Sequence, residues 1–319
     1  MRFLFFFCLF PIVINAQTNG TKTIPLDNVA WRIIHTGENP DFIATDGDNA
    51  WVIDDGHDRV LKLSPTSKLP LITVEIPQAC TAPIVGFNSL WVMSCTEYKL
   101  YRIDRLNGHV VAIIPTGMAD KNGEMSLSIG AKSVWLLCDS SGILARIDPV
   151  TNSIQQKIPV LPGSYCTVFG HNSVWLSNHN NNSVQRVDPK TNSVIATIAV
   201  GSAPRFITVS ETGVWTLNQG DGTVSRIDPA TNKVVATIDV KAIGHGGDIT
   251  ASGGKIWVVS INTERPVQTI NPQTNTVETI FLQRPTPGTK FRVDGATRPS
   301  THYLWISGYF SKTLWVLKK

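Results

Sequence analysis

The sequence predicts an all-β fold, a seven-bladed β-propeller of four-stranded antiparallel blades. The first observation is a tryptophan that returns at intervals of 40 to 48 residues, at Trp51, Trp91, Trp135, Trp175, Trp215, Trp257 and Trp305. The second is a unit of short apolar runs around each tryptophan, with turn residues between the runs. A period of about 40 residues with four short strands is typical of a propeller blade.

The strands and turns of the repeat are clearest in the unit around Trp215. Its apolar runs are rich in β-branched and aromatic residues, as strands are, and lie at residues 206–209, 214–217, 224–227 and 234–240. The segment Asp228-Pro-Ala-Thr-Asn lies between the last two runs and suits a tight turn, because proline fixes φ and asparagine tolerates a positive φ. We interpret the repeated tryptophan as a packing residue between neighbouring blades.

The last repeat lacks one strand, and the N-terminal region offers one. The last repeat contains three strand-like runs, at residues 291–295, 304–307 and 314–317. Residues 31–37 resemble the outer strands of the other units, so we predict that an N-terminal strand closes the last blade and removes an exposed sheet edge. Residues 29–319 then form a single domain, preceded by a short segment at 17–28.

The first residues have the pattern of a secretory signal peptide. Arg2 precedes an apolar stretch over residues 3–14, and the small residue Ala16 follows. This order predicts a signal peptide at 1–16 that is cleaved, and a secreted or periplasmic protein. A membrane span needs about 20 apolar residues, and no later stretch is that long. We therefore expect no membrane span.

Composition and motifs exclude several classes of function. The formal net charge is +4, and no basic run or basic-aromatic alternation occurs, so we expect no binding to nucleic acid. The sequence has no phosphate-binding loop, no Gly-x-Ser-x-Gly motif and no His-Glu-x-x-His motif. No sequence feature indicates a second chain, and we expect a monomer.

Four cysteines follow the predicted signal peptide, at Cys80, Cys95, Cys138 and Cys166. An even number in a secreted protein favours disulfides. Cys80 and Cys95 lie almost opposite each other across a predicted hairpin, and Cys138 and Cys166 lie at the same rim of adjacent blades. We predict the bridges Cys80–Cys95 and Cys138–Cys166. The alternative is a soft metal site at the channel mouth, which no Cys-x-x-Cys spacing supports.

The candidate site is the mouth of the central channel. The loops that lead into the innermost strands and those that join second and third strands meet there, and they vary while the sheets repeat. We predict that ligand-binding residues come from these loops, namely His57, Glu97, Asp139, His179, Arg205 and Arg292.

A glycine-rich loop adds His245 and Asp248. Histidine could act as a base that aspartate orients, or both could ligate a metal. The alternative for this loop is a simple glycine turn with a solvated histidine. For the arginines it is pairing with Asp54, Asp139 or Asp248.

The repeats resemble a known group of secreted proteins. Residues 187–201 and 201–209 are similar to the YVTN-type propeller repeats of secreted bacterial proteins, and more loosely to those of the streptogramin (virginiamycin B) lyase group, which is also seven-bladed. The resemblance covers residues 29–319. For the lyase group it implies a magnesium ion and a histidine base in a Glu-x-His pattern at the start of an inner strand. This chain contains no Glu-x-His.

The sequence favours a non-catalytic scaffold that binds a small molecule, peptide or partner protein at the channel mouth, without a cofactor. The alternative is a metal-assisted lyase or hydrolase that uses His245 and Asp248, with magnesium as its cofactor.

Overall fold

The computed structural model describes residues 20–36, 39–119, 125–138, 142–282, 293 and 295–319. The described chain starts with β1 (Lys22–Pro25), the single turn α1 (Leu26–Val29) and β2 (Ala30–His35). It contains no helix long and apolar enough to span a membrane. All other regular elements are strands.

The strands form seven sheets that follow one another along the chain. The first blade is β3 (Asn39–Asp46), β4 (Asn49–Asp55), β5 (Arg59–Leu63) and β6 (Ile72–Glu75). After the short β7 (Thr81–Ala82), the second is β8 (Ile84–Gly86), β9 (Ser89–Ser94), β10 (Lys99–Asp104) and β11 (Val110–Pro115). The third is β12 (Met125–Gly130), β13 (Ser133–Cys138), β14 (Ile143–Asp148) and β15 (Ser153–Pro159).

The later blades repeat the pattern. The fourth is β16 (Ser164–Gly170), β17 (Ser173–Asn178), β18 (Ser183–Asp188) and β19 (Ser193–Ala199). The fifth is β20 (Pro204–Ser210), β21 (Gly213–Asn218), β22 (Thr223–Asp228) and β23 (Lys233–Asp239). The sixth is β24 (Gly247–Ser252), β25 (Lys255–Ser260), β26 (Val267–Asn271) and β27 (Thr276–Leu282). The seventh holds β28 (Thr297–Pro299), β29 (Tyr303–Gly308) and β30 (Thr313–Lys318).

The N-terminal strand closes the ring, as the sequence predicts. β2 pairs antiparallel with β30, with Ile33 opposite Trp315, and completes the seventh blade. The innermost strands contact each other in ring order, and β28 of the last blade contacts β3 of the first. The segment before β2 has a role that the sequence did not predict. β1 adds in parallel to the outer edge of the sixth blade, with Lys22 opposite Thr279, so this segment ties two blades together.

Burial along the strands follows from the ring geometry. Every residue of β9, β13, β17 and β21 is buried, because the second strand of a blade has a neighbouring blade on each face. Most side chains of the outer strands β15 and β19 are exposed or half-buried, since these strands lie at the rim. The apolar core is therefore distributed over the spaces between the blades rather than in one central cluster.

The repeated tryptophan connects neighbouring blades. Trp175 is fully buried, and its Nε1 donates to the Gly170 carbonyl oxygen at 3.0 Å. The Arg186 guanidinium lies 4.8 Å over its ring and donates to the Pro229 carbonyl oxygen at 2.7 Å and to Asn232 Oδ1 at 2.8 Å, both in the next blade. The same arrangement recurs at Arg102, Arg146 and Arg226.

This contact gives the Asp-Pro-x-Thr-Asn turn a second purpose. Asn232 has a φ of 56°, which confirms the turn conformation expected from the sequence. The positive φ accompanies an Asn232 side-chain oxygen that accepts from Arg186 of the preceding blade. The turn residues thus bind blades to each other as well as reversing the chain.

The Cys80–Cys95 disulfide is present, with a Cα–Cα distance of 5.8 Å. The backbone holds the two residues together, since Cys80 N donates to the Met93 carbonyl oxygen at 3.0 Å and Cys95 N to that of Gln78 at 3.2 Å. The predicted position of the two cysteines across one hairpin is therefore confirmed.

The predicted Cys138–Cys166 bridge is wrong. Both residues are described, and no disulfide joins them. Cys138 packs with Met93 and Leu100 of the second blade, whereas the preceding Leu137 packs against the fourth. Because side chains alternate along a strand, Cys138 points away from the blade that contains Cys166.

Loss of the disulfide should lower stability measurably. The bridge spans 15 residues, and closing a loop of that length contributes about 3 kcal/mol in the chain-entropy estimate. We expect a Cys80→Ser/Cys95→Ser variant to unfold at a clearly lower urea concentration. Dithiothreitol should move the wild-type midpoint toward that of the variant and leave the variant unchanged. Equal midpoints for the wild type and the variant in the absence of dithiothreitol would contradict this estimate.

Candidate functional site

A pocket of about 370 Å³ opens at the predicted mouth, where the chain leads into the innermost strands. It is lined by Asp41, Phe42, Asp55, Tyr165, Arg205, Phe206, His245, Gly246, Gly247, Gly295, Tyr309 and Phe310. These residues come from the fourth to the seventh blades and from the first. The topology explains the grouping, because starts of first strands and ends of second strands lie at the same end of every antiparallel blade.

One wall of the pocket carries a fixed positive charge. The Arg205 guanidinium lies 4.0 Å over the Tyr165 ring and donates to the hydroxyl of the same tyrosine. The Tyr165 ring meets Phe206 edge to face at 5.5 Å and is itself buried. Packing on an aromatic face restricts the arginine while leaving it charged. Arg205 is thus held in the pocket wall as a half-buried cation.

The opposite wall is acidic and aromatic. The Tyr309 hydroxyl donates to Asp55 Oδ2, and its ring meets Phe310 edge to face at 5.1 Å. Burial, followed by the bond to Asp55, raises the pKa of the Tyr309 hydroxyl, so the phenol is a neutral donor at neutral pH. Asp41 lies near enough to act on the same hydroxyl electrostatically. This wall therefore presents two carboxylates, of which Asp55 is held by a tyrosine.

His245 and Asp248, the pair of the catalytic alternative, lie in different surroundings. His245 is exposed and lines the mouth pocket. Asp248 is 2% exposed and lies inside the ring. Gly247 between them has a φ of 100°, and a Cβ there would lie 2.1 Å from the Val259 carbonyl oxygen. Only glycine suits this position, and the chain turns there.

Asp248 has a structural partner that the sequence did not reveal. Its Oδ2 accepts from the Arg298 guanidinium and from Thr297 N at 3.0 Å, and its Oδ1 accepts from Ile249 N at 2.8 Å. Burial raises the pKa of the Asp248 carboxyl, and the bonds to Arg298 and the backbone oppose that rise. The carboxylate joins the sixth and seventh blades, and these bonds take up both of its oxygens.

The other predicted site residues divide into three groups. Arg205 lines the pocket, and His179 lies behind it, with its ring edge-on to Tyr165 at 6.2 Å. His57 and Glu97 are not among the pocket residues. Asp139 and Arg292 lie outside the residues that the structure describes.

Local partners account for His57 and Glu97. The exposed His57 lies 3.5 Å from Asp54, which pairs with Arg59 at 2.6 Å. Glu97 accepts from the Tyr101 hydroxyl, and burial together with this bond raises the pKa of Tyr101 to about 12. Asp54 pairs with Arg59 and Asp248 with Arg298, which are not the arginines for which we predicted such pairing as the alternative. Arg205 donates to Tyr165 instead.

The sequence missed the aromatic and acidic residues of the pocket. Tyr165 and Phe206 look like ordinary strand residues, because each lies within an apolar run. Tyr309 and Phe310 offered the clearer signal, since no other loop between second and third strands contains two adjacent aromatic residues. Asp41 and Asp55 gave none, because single aspartates are common at strand ends.

A second cavity of about 310 Å³ lies along the channel between the innermost strands. Hydroxyl side chains line much of it, and Ser128 and Thr167 lie 3.1 Å apart there. The Cys166 thiol is also in this wall, and burial raises its pKa, so it stays protonated. Across the described ranges, no three His, Cys, Asp or Glu side chains are placed to hold a metal ion.

Solved structures with a similar fold match most of the chain. A streptogramin B lyase aligns with a TM-score of 0.73 at 16% identity, over 91% of this chain and 96% of its own. Virginiamycin B lyase from Staphylococcus aureus aligns with a TM-score of 0.73 at 13% identity, over 90% and 98%. BamB from Moraxella catarrhalis aligns with a TM-score of 0.59 at 13% identity, over 87% and 82%. Similarity at these identities shows the fold alone.

No family model and no curated protein sequence matches the chain.

Proposed function

We propose that this protein is a secreted binding propeller that holds a small ligand in the mouth pocket. The observation that supports the proposal most directly is the placement of Arg205 on Tyr165 in the wall of an open, aromatic-lined cavity. The cavity volume of about 370 Å³ lies within the range of small-molecule sites. A fixed guanidinium among apolar rings can orient a ligand, while the rings contribute buried area.

The secreted location is part of the same proposal. The Cys80–Cys95 disulfide supports an oxidising compartment, since such bonds are rare where thiols are kept reduced. The predicted signal peptide at 1–16 lies outside the described residues and stays a prediction.

A metal-assisted lyase or hydrolase is the second candidate, because lyases occur among the structurally similar proteins. This reaction would use His245 as the base and Asp248 as its orienter or as a metal ligand. The contacts of Asp248 with Arg298 and Thr297 favour a structural role for that carboxylate. Binding without chemistry is therefore the function that we prefer.

Recovery of ligand with the purified protein tests the binding proposal. We expect the wild-type protein, expressed from the full sequence, to retain small molecules through purification. Mass spectrometry should detect these molecules after the protein is denatured. Arg205→Met should reduce the retained amount at least tenfold, because a charge-assisted hydrogen bond contributes about 1.5–3 kcal/mol. Lys190→Met is the matched control, since Lys190 is exposed on the opposite face of the ring and should have no effect.

Three further outcomes bear on the assignment. If neither Arg205→Met nor His245→Ala changes retention, the pocket is not the binding site. A rise in melting temperature with Mg²⁺ or Ca²⁺ that EDTA reverses would favour the metal-assisted candidate instead. No retained molecule in any sample would count against the binding proposal as a whole.

A further inference from the structure

We infer that the mouth ligand is an extended zwitterion, a short peptide with free ends, whose ammonium group lies against Asp41 and Asp55 and whose carboxylate lies against Arg205. This inference rests on the proposed function and specifies its ligand class.

The first support is the separation of charge within the pocket. Among its described lining residues, the carboxylates are Asp41 and Asp55 of the first blade, and the guanidinium is Arg205 of the fifth. A pocket for an anion alone would not place two carboxylates in its wall, and a pocket for a cation alone would not include an arginine. A ligand with one charge of each sign satisfies both walls.

The second support is the distance around the ring. Two blades, the sixth and the seventh, lie between the acidic wall and Arg205 along the pocket, so the walls face each other across the mouth. A free amino acid carries both charges on one carbon atom, whereas the two walls belong to blades that are not neighbours in the ring. Each further residue of an extended peptide adds about 3.3–3.6 Å. The geometry therefore favours a peptide of a few residues over a single amino acid.

The third support is that each charged wall is positioned by a tyrosine hydroxyl. Tyr165 accepts from Arg205 on one side, and Tyr309 donates to Asp55 on the other. Charges that are already oriented lose less freedom when a ligand binds, and this raises affinity. The two walls are built alike around groups of opposite sign.

The fourth support is the wall between the charges, which suits a peptide backbone. Gly246, Gly247 and Gly295 line it, so backbone atoms form this part of the pocket surface. Without side chains, the protein backbone can approach the ligand closely. Phe310, which is 45% exposed beside these glycines, offers apolar surface to a ligand side chain.

Titration calorimetry on the whole protein with matched peptides tests this inference. The probes are L-phenylalanine, glycyl-phenylalanine and glycyl-phenylalanyl-glycine, and the tripeptide again with an acetylated N-terminus or with an amidated C-terminus. We expect the free tripeptide to bind at least tenfold more tightly than free phenylalanine and than either blocked form. Each blocked form lacks one charge and therefore one wall contact.

Variants then assign each end of the peptide to its wall. Arg205→Met should weaken binding of the free tripeptide at least tenfold and leave binding of the amidated form unchanged. Asp55→Asn should likewise weaken binding of the free tripeptide at least tenfold and leave binding of the acetylated form unchanged. A loss that disappears when the ligand lacks the matching group reports a direct pair rather than a general structural effect. Lys190→Met should bind every probe like the wild type.

The outcomes separate this inference from the proposed function. Equal affinities for free and blocked peptides, or no binding of any peptide, would overturn the zwitterion. If retained molecules still depend on Arg205 in that case, the binding proposal stands and only the ligand class is wrong. If peptides do not bind and nothing is retained, both proposals fail.

Discussion

Replacement of Trp175 by alanine is expected to lower the free energy of unfolding by about 3–5 kcal/mol, the usual loss for a buried large aromatic residue. The indole is fully buried between two blades and donates to the Gly170 carbonyl oxygen. Its removal also takes away the face on which Arg186 packs. The variant therefore loses apolar packing and loosens the arginine that contacts the next blade.

Urea unfolding followed by far-ultraviolet circular dichroism measures this loss, and Trp31→Ala is the matched control. Trp31 is 40% exposed on the outermost strand of the seventh blade, where it contacts Tyr303 at 5.1 Å. The same substitution there should lower the midpoint much less. Comparable losses at the two positions would show that the repeated tryptophan does not have the packing role assigned to it.

Replacement of Arg298 by alanine is the second large effect, again about 3–5 kcal/mol at neutral pH, as expected when one partner of a buried ion pair is removed. Asp248 stays buried at 2% exposure and keeps only its backbone donors. A buried carboxylate without its counter-ion either remains charged at high cost or takes up a proton.

The pH dependence of that loss provides a further check. Burial already raises the pKa of Asp248 in the wild type, and loss of Arg298 should raise it more. A carboxyl whose pKa is higher in the folded than in the unfolded state binds its proton more tightly when folded. Stability therefore falls as the pH rises from the unfolded-state pKa to the folded-state pKa. The destabilisation in Arg298→Ala should therefore be greatest near neutral pH and shrink on acidification.

The double variant Asp248→Asn/Arg298→Met is the control, because it removes both charges and leaves none uncompensated. Its loss at neutral pH should be smaller than that of Arg298→Ala and should vary less with pH. If the single and double variants lose the same stability at every pH, the ion pair is not what holds the sixth and seventh blades together at this point.

Errors in the sequence predictions have identifiable physical causes. The β1 strand was missed because Lys22–Pro25 is short and contains a proline, and only the exposed edge of the sixth blade makes it a strand. The Cys138–Cys166 bridge was wrong because rim position was considered without the direction of the side chain. The partner of Asp248 was missed because Arg298 lies 50 positions further along the chain, in the next blade.

The number of blades, the four-stranded unit, the closing strand and the Cys80–Cys95 pair could all be predicted from the sequence. These features are local or periodic, so strand patterns, turn residues and a repeated tryptophan were sufficient to predict them. The set of residues that forms the mouth pocket could be identified only in the folded ring. Arg205 and Asp55 are 150 positions apart and belong to blades on opposite sides of the ring. Ring closure brings them to one cavity, and no periodicity within a blade encodes that meeting.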